Sequence, residues 1–222
     1  MTEHETPSVD RLVVAILGGT GEQGRGLARR FAVAGNRVIV GSRSRERADA
    51  VARELGHGVR GLPNREAARE ADVVIAAVPW EGHGELLSGL AADLAGKIVV
   101  DCVNPIGFDS RGAYRLPVAE GSAAEQAAAL LPGSRVVAAF HHVSAVLLLD
   151  PEVETIDLDV LVLGDDRQAT DLVQALAARL PGARGVYAGR LRNCGQVEAL
   201  TANLVSINRR YKAHAGIRIT DI

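Results

Sequence analysis

The sequence predicts an α/β fold, a doubly wound parallel sheet with a smaller C-terminal part. Three observations carry that prediction. Short β-branched runs alternate with alanine-rich stretches of helical period along most of the chain. The runs, such as LVVAIL at 12–17 and VVIAAV at 73–78, are apolar at successive positions, as strands buried on both faces of a parallel sheet must be. The first run passes directly into a glycine-rich loop and then into a helical stretch, LVVAILGGTGEQGRGLARR.

In chain order, a strand at 12–17 is followed by a helix at 22–34, which Gly35 closes as a C′ glycine. A strand at 37–40 leads to helices at 45–55 and 64–70, and a strand at 73–78 to a helix at 83–94. A strand at 97–101 precedes a helix at 122–131, whose start carries a capping box of Ser122 and Glu125, and a strand at 135–139 ends this part. Beyond residue 150 the pattern gives a strand at 158–163, a helix at 166–180, a short strand at 184–188 and a longer helix at 195–212. No linker rich in Pro, Ser or Gly intervenes, so residues 151–222 are expected to pack closely on a nucleotide-binding domain at 1–150.

With 222 residues, 47% hydrophobic and 23% charged, the chain has the make-up of an ordinary globular protein with room for a substantial core. A net charge of -2 and no broad basic face argue against nucleic acid as a partner. The polar start MTEHETPSVD does not read as a targeting signal, and the longest apolar stretch, VVIAAVPW, is too short to span a bilayer. A cytoplasmic protein without membrane contact is therefore expected. Cys102 and Cys194 lack metal-ligand spacing and read as packing residues.

The sharpest motif is Gly19-x-Gly21-x-x-Gly24 between the first strand and the first helix. Gly19 suits the tight turn, Gly21 lets the backbone approach a pyrophosphate, and Gly24 lets helix and strand pack closely. Free N–H groups at the helix start, around Thr20 to Gln23, face the anion along the positive end of the helix dipole. In this strand-to-helix context the motif makes the fold Rossmann-type. The second strand then runs into GSRSRERA, where an NAD site would carry Asp or Glu. Ser42, Arg43 and Arg47 stand there instead, and a carboxylate would repel the 2′-phosphate that they can hold. NADP(H) is the expected cofactor. Arg43 and Arg47, four residues apart, are expected on one helical face, with Arg45 turned to solvent.

No Tyr-x-x-x-Lys pair, H-E-x-x-H, Cys-x-x-Cys or G-x-S-x-G occurs, so no tyrosine acid, metal site or serine nucleophile is in view. Hydride transfer between two bound redox cofactors needs none of them. His141 and His142 end an apolar run at the edge where such folds bind ligands; on an extended chain only one of them can face a pocket. Trp80 follows a strand at that same edge. His4, His57 and His214 read as surface residues.

The segments LGGTGEQGRGLA, VIVGSRSRERA, VPWEGH, AAFHHVSA and EALTANLVSINRRYKAHAGIRI resemble the NADPH-dependent coenzyme F420 reductases over nearly the whole chain. The resemblance implies hydride transfer between NADP(H) and coenzyme F420, an 8-hydroxy-5-deazaflavin. It places Thr20, Gly21, Glu22 and Gln23 around the pyrophosphate and Ser42, Arg43 and Arg47 on the 2′-phosphate. Trp80, Gly84, Ile106 and Ala145 would border the nicotinamide half. His141 and Val143 would line the pocket where the rings meet, positioning them without acting as acid or base, and Gly216 would touch the deazaflavin. HHVSA replaces a more apolar stretch, and the tail aligns only with a gap. A homodimer through the C-terminal part is the expected assembly. Two other functions fit the same loop: a reductase of a small imine or carbonyl, with His141 as its acid, and a non-catalytic NADP(H)-sensing regulatory protein.

Overall fold

A computed structural model describes residues 7–222, and His4 lies outside them. β1 (Val13–Leu17), β2 (Arg37–Ser42), β3 (Arg60–Pro63), β4 (Val73–Ala76), β5 (Ile98–Asp101) and β8 (Arg135–Ala138) form the parallel body of one sheet. With β9 (Leu158–Gly164) and β10 (Ala183–Gly189) at one edge, its full order is β10-β9-β8-β5-β4-β1-β2-β3. Every residue of β1, β4 and β5 is buried, which accounts for their unbroken apolar sequences.

Helices cover both faces. Leu27 and Phe31 of α1 (Glu22–Val33), Leu148 of α6 (Ala145–Leu149) and Val173 and Leu176 of α7 (Arg167–Ala177) pack on one side, joined by Val51 and Leu55 of α2 (Arg45–Leu55). Ala67 of α3 (Asn64–Glu70), Leu87 and Leu94 of α4 (Trp80–Leu94), Ala127 of α5 (Ala123–Leu130) and Val197 of α8 (Cys194–Tyr211) pack on the other.

Local chemistry sets the ends. Gly35 takes φ +90°, its N–H donating to Ala32 O and that of Asn36 to Phe31 O, the paired bonds of a Schellman motif. Ser122 accepts from the Glu125 N–H at 3.0 Å, while Glu125 accepts from the Ser122 hydroxyl rather than its backbone.

Five short elements among the described residues escaped the sequence pattern: β3, the helix α6, the strands β6 (Ile106–Asp109) and β7 (Gly112–Arg115) of an antiparallel hairpin, and a 3-10 turn at Leu191–Asn193. Each is five residues or shorter, too brief to show a period. The strands β9 and β10 add to the same sheet, but β9 runs antiparallel to β8, so the sheet is not wholly parallel. The reason is the connection. Residues 139–157 hold only the five-residue α6 and no long crossover helix of the kind that usually lays a strand parallel to its predecessor.

Candidate functional site

The strand order reverses direction between β1 and β4, and at that switch point the carboxyl ends of neighbouring strands open a crevice. The loop after β1 lies there. Gly18 takes φ +66°, and a Cβ on it would sit 2.3 Å from Val78 Cγ1 in the loop after β4. The left-handed residue of the turn is thus Gly18, while Gly19 is required for closeness: its Cβ would lie 2.6 Å from Ile16 O. Gly19 N–H donates to Gly41 O at 3.0 Å, tying the loop to the end of β2. A Cβ on Gly24 would come within 2.6 Å of Gly19 Cα, so helix and loop meet backbone to backbone.

Gly21 is the N-cap of α1 and has no side chain to take up the first-turn N–H groups; Thr20, Glu22 and Gln23 flank it. A Cβ on Gly21 would meet nothing nearer than Gly18 O at 3.8 Å, leaving the cradle that a pyrophosphate needs. Gln23 spends its side chain inside the protein, donating to Phe140 O at 3.2 Å beyond the end of β8.

Ser42 closes β2 as a buried residue, and its Oγ accepts from Ser44 N–H at 3.3 Å, which leaves its O–H free to donate outward. Arg43 and Arg47 are exposed and have no carboxylate partner among the described residues, whereas Arg25, Arg45, Arg60, Arg65 and Arg69 around them are each ion-paired. Arg45 faces solvent, held by Glu66. One expectation needs correction: Arg43 and Arg47 are not a helical pair. Ser44, in extended conformation, caps α2 by accepting from Arg47 N–H at 3.2 Å, so Arg43 precedes the helix. A strand end beside a helix start brings the two guanidinium groups to this edge.

Trp80 begins α4 just beyond β4 and is partly exposed. Its ring lies 5.6 Å from that of His83, which is fully buried. His83 Nε2 is 2.5 Å from Asp101 Oδ2 at the end of β5, and Nδ1 is 3.0 Å from Gln126 Oε1 on α5. Sequence reasoning missed this dyad. A histidine three residues after Trp80, facing a strand that ends in Asp, was its only signal.

His141 and His142 both lie in a turn rather than on extended chain, and both are buried, so strand alternation does not separate them. Their hydrogen bonds do. His142 Nε2 accepts from Leu161 N–H at 3.4 Å, while neither ring nitrogen of His141 has a partner among the described residues. The His141 carbonyl is fixed instead, by Asn104 Nδ2 at 2.8 Å and Thr201 Oγ1 at 3.3 Å. Burial lowers both imidazoles to about 4. Val143, buried beside them, completes the turn begun at Phe140, whose φ of +66° is uncommon for a bulky residue.

The remaining expected positions scatter along the edge. Ile106 starts β6 instead of sitting in a loop, and Ala145 starts α6. Gly84 faces α5, where its Cβ would stand 3.4 Å from Gln126 Oε1. Gly216 lies in the tail, where a Cβ would meet Leu158 Cβ at 2.9 Å. That tail returns to the sheet: Asp159 N–H donates to Ile217 O at 2.7 Å, and the Asp159 carboxylate accepts from Arg184, Arg218 and Ile219 N–H. Cys102 and Cys194 are buried free thiols, and His57 and His214 are exposed.

A family model described as "NADP oxidoreductase coenzyme F420-dependent" matches residues 13–105, from β1 to just past β5. Over 221 aligned residues the chain is 40% identical to the F420-dependent NADP reductase of Methanothermobacter thermautotrophicus, covering 94% of this chain and 95% of that one. The chain belongs to the F420-dependent NADP oxidoreductase family. The enzyme of that name from Methanocaldococcus jannaschii is 37% identical over 94% of this chain and 98% of its own. A solved structure of a provisionally assigned F420-dependent NADP-reductase from Arthrobacter sp. FB24 superposes with a TM-score of 0.82 at 26% identity, covering 95% of this chain and all of that one. For this member of the F420-dependent NADP oxidoreductases, the family match spans the glycine loop, the arginine edge and Trp80, while His141 and the tail lie beyond it.

Proposed function

We propose that this protein moves hydride directly between NADP(H) and coenzyme F420. The observation that carries the reading is the conjunction at the switch point of a glycine-capped helix start with two unpaired arginines and a buried Ser where an NAD site would carry an acid. The full-length likeness to enzymes named for this reaction supports it. Bound there, the two rings supply the redox chemistry: a hydride passes between nicotinamide C4 and deazaflavin C5, with one proton exchanged at the deazaflavin with solvent.

The protein supplies position and dryness. The first-turn N–H groups of α1 take the pyrophosphate and Ser42, Arg43 and Arg47 the 2′-phosphate, while Trp80, Ile106 and Ala145 border the nicotinamide half. His141, as a neutral imidazole, and Val143 close the far wall, both buried. Buried, with no hydrogen-bond partner at either ring nitrogen, and with the burial outweighing the Asp101 charge nearby, His141 stays neutral at pH 7, which disfavours the imine or carbonyl reductase that would need it as an acid. Residues 151–222 complete the deazaflavin side of the pocket: α8 holds the His141 carbonyl through Thr201, and the tail carrying Gly216 seats on β9.

A homodimer is part of this proposal. Exposed Phe108 and Tyr114 on the hairpin and Leu200, Ile207 and Tyr211 on α8, which packs against it, supply an apolar face for a second copy. Among the described residues no helix is long and apolar enough to cross a membrane. Mixing the protein with NADPH and F420 and following the visible deazaflavin absorbance tests the activity: rapid bleaching is expected. NADPH binding without bleaching would favour the sensing protein, and sedimentation decides the dimer.

A further inference from the structure

His83 is a fully buried polar group, at 0% exposure, that the proposed reaction leaves unused. Both of its ring nitrogens face acceptors. Asp101 Oδ2 lies 2.5 Å from Nε2, and its other oxygen is already taken by Val103 N–H at 3.0 Å. Gln126 turns its Oε1 to Nδ1 because its NH2 donates the other way, to Glu120 Oε2 at 3.3 Å. A neutral imidazole has one N–H and would leave an acceptor facing a lone pair, whereas an imidazolium satisfies both.

We propose that His83 is a positioning residue for hydride transfer: an imidazolium held between Asp101 and Gln126 that fixes Trp80 at the nicotinamide edge. Trp80 and His83 sit one helical turn apart at the start of α4, with ring centroids 5.6 Å apart and planes 31° from parallel, within reach of a cation–π contact. The anchor is Asp101, on the rigid end of a central strand. Loss of the charge would free both the first turn of α4 and the indole that walls the site, and small displacements there cost rate steeply because ring alignment sets the transfer.

The groups that act on His83 come from three elements: Asp101 at the end of β5, Gln126 on α5 and Glu198 on α8, while the same Asp101 charge also reaches Cys102, Cys194 and His141. Burial opposes a charge on His83, but the hydrogen bonds and charge of Asp101, with Gln126 and the Glu198 carboxyl, outweigh it and raise the imidazole above its ordinary value.

Trp80 is the chain's single tryptophan, so its emission reads the clamp directly. Imidazolium groups quench indole by accepting an electron. In the ligand-free protein, Trp80 emission is therefore low at pH 5.5 to 6.5, its midpoint lies above 6.5, and at pH 6 it rises at least twofold in His83→Gln. Asp101→Asn, a second variant that keeps the shape, removes the counter-charge, and its emission midpoint falls below 6.5. A midpoint near 6.5 in the wild type that persists in Glu198→Gln would show an ordinary histidine and overturn the proposal.

The inference rests on the placement of Trp80 at the nicotinamide half, which is tested separately: NADP+ quenches Trp80, and 2′,5′-ADP, which lacks nicotinamide, does not. Equal responses to the two would remove that placement while leaving the clamp to the pH measurements. In turnover, His83→Gln keeps the NADPH Kd within about twofold and lowers kcat about tenfold. Equal losses in both would reduce His83 to a packing role.

Discussion

Acidification from pH 6.5 to 4.5 is expected to destabilise the fold by about 2 kcal/mol, and the size follows from three buried groups. His141 and His142 start from 6.5 and are lowered to about 4 by burial, His141 with no partner at either nitrogen and His142 with an N–H aimed at its Nε2. In this window the unfolded chain binds a proton at each that the folded chain refuses. Stability present above pH 6.5 is thus lost as pH falls toward 4, by roughly 2 kcal/mol per ring across the interval. Glu198 acts with the opposite sign. Burial pushes its carboxyl up to about 7, against the pull of the Ala123 and Ala124 N–H groups at 2.9 and 3.2 Å, so the folded state holds a proton that an unfolded Glu near 4.5 has lost. That contribution is largest below 4.5 and disappears as pH rises through about 7, returning roughly 2 kcal/mol on acidification and leaving the net loss stated. His83, raised above 6.5, titrates above the window, and Asp159, held well below the usual carboxylate range by Arg184, titrates beneath it. Urea unfolding followed by circular dichroism at the two pH values measures the difference. Glu198→Gln, which removes the opposing proton, should roughly double the loss to about 4 kcal/mol whatever its own stability. Equal wild-type stability at both pH values, or no steepening in Glu198→Gln, would refute the assignment of neutral buried histidines.

Arg43→Ala and Arg47→Ala should each weaken NADPH binding about ten- to a hundredfold or more, the worth of a charge-assisted hydrogen bond, with NADH little changed; equal losses of both cofactors would make the cluster structural. Arg45→Ala, whose guanidinium is held by Glu66, is the silent control, and Ser42→Asp in the double arginine variant should shift kcat/KM toward NADH. Gly24→Ala places a methyl 2.6 Å from Gly19 Cα and should cost about 1 to 3 kcal/mol in thermal unfolding as well as NADPH affinity. His141→Ala should slow transfer by less than about a hundredfold, since the ring positions and does not donate; a larger loss in stopped-flow bleaching would restore an acid role. Asp159→Ala leaves Arg184 without its carboxylate and Arg218 with Asp157 alone, and loosens the tail, so protease cleavage near Gly216 should accelerate and the F420 KM rise. Unchanged cleavage would mean that the tail is held elsewhere.

The parallel half of the fold and the phosphate end of the site were legible in the sequence because each is local. The burial of β1, β4 and β5 on both faces forbids polar residues, and a strand-to-helix turn around a pyrophosphate demands small residues at 19, 21 and 24, so both leave a mark in consecutive positions. The missing acid after β2 is readable in the same way. What the tertiary structure decided is what depends on residues far apart in the chain. No local rule says that β9 turns antiparallel; that is set where Val137 and Ala138 of β8 pair with Gly164 and Leu163 of β9. No spacing pairs His83 with Asp101 and Gln126, 18 and 43 residues away, or seats the Asp159 carboxylate under Arg184 and Arg218. Arg43 and Arg47 show the division within one motif. Their identity was in the sequence, but their shared edge comes from a strand end and a helix cap, and their freedom to meet a phosphate comes from carboxylates on other elements having claimed the neighbouring arginines. Charges pair through space, and only the folded chain says which are left over.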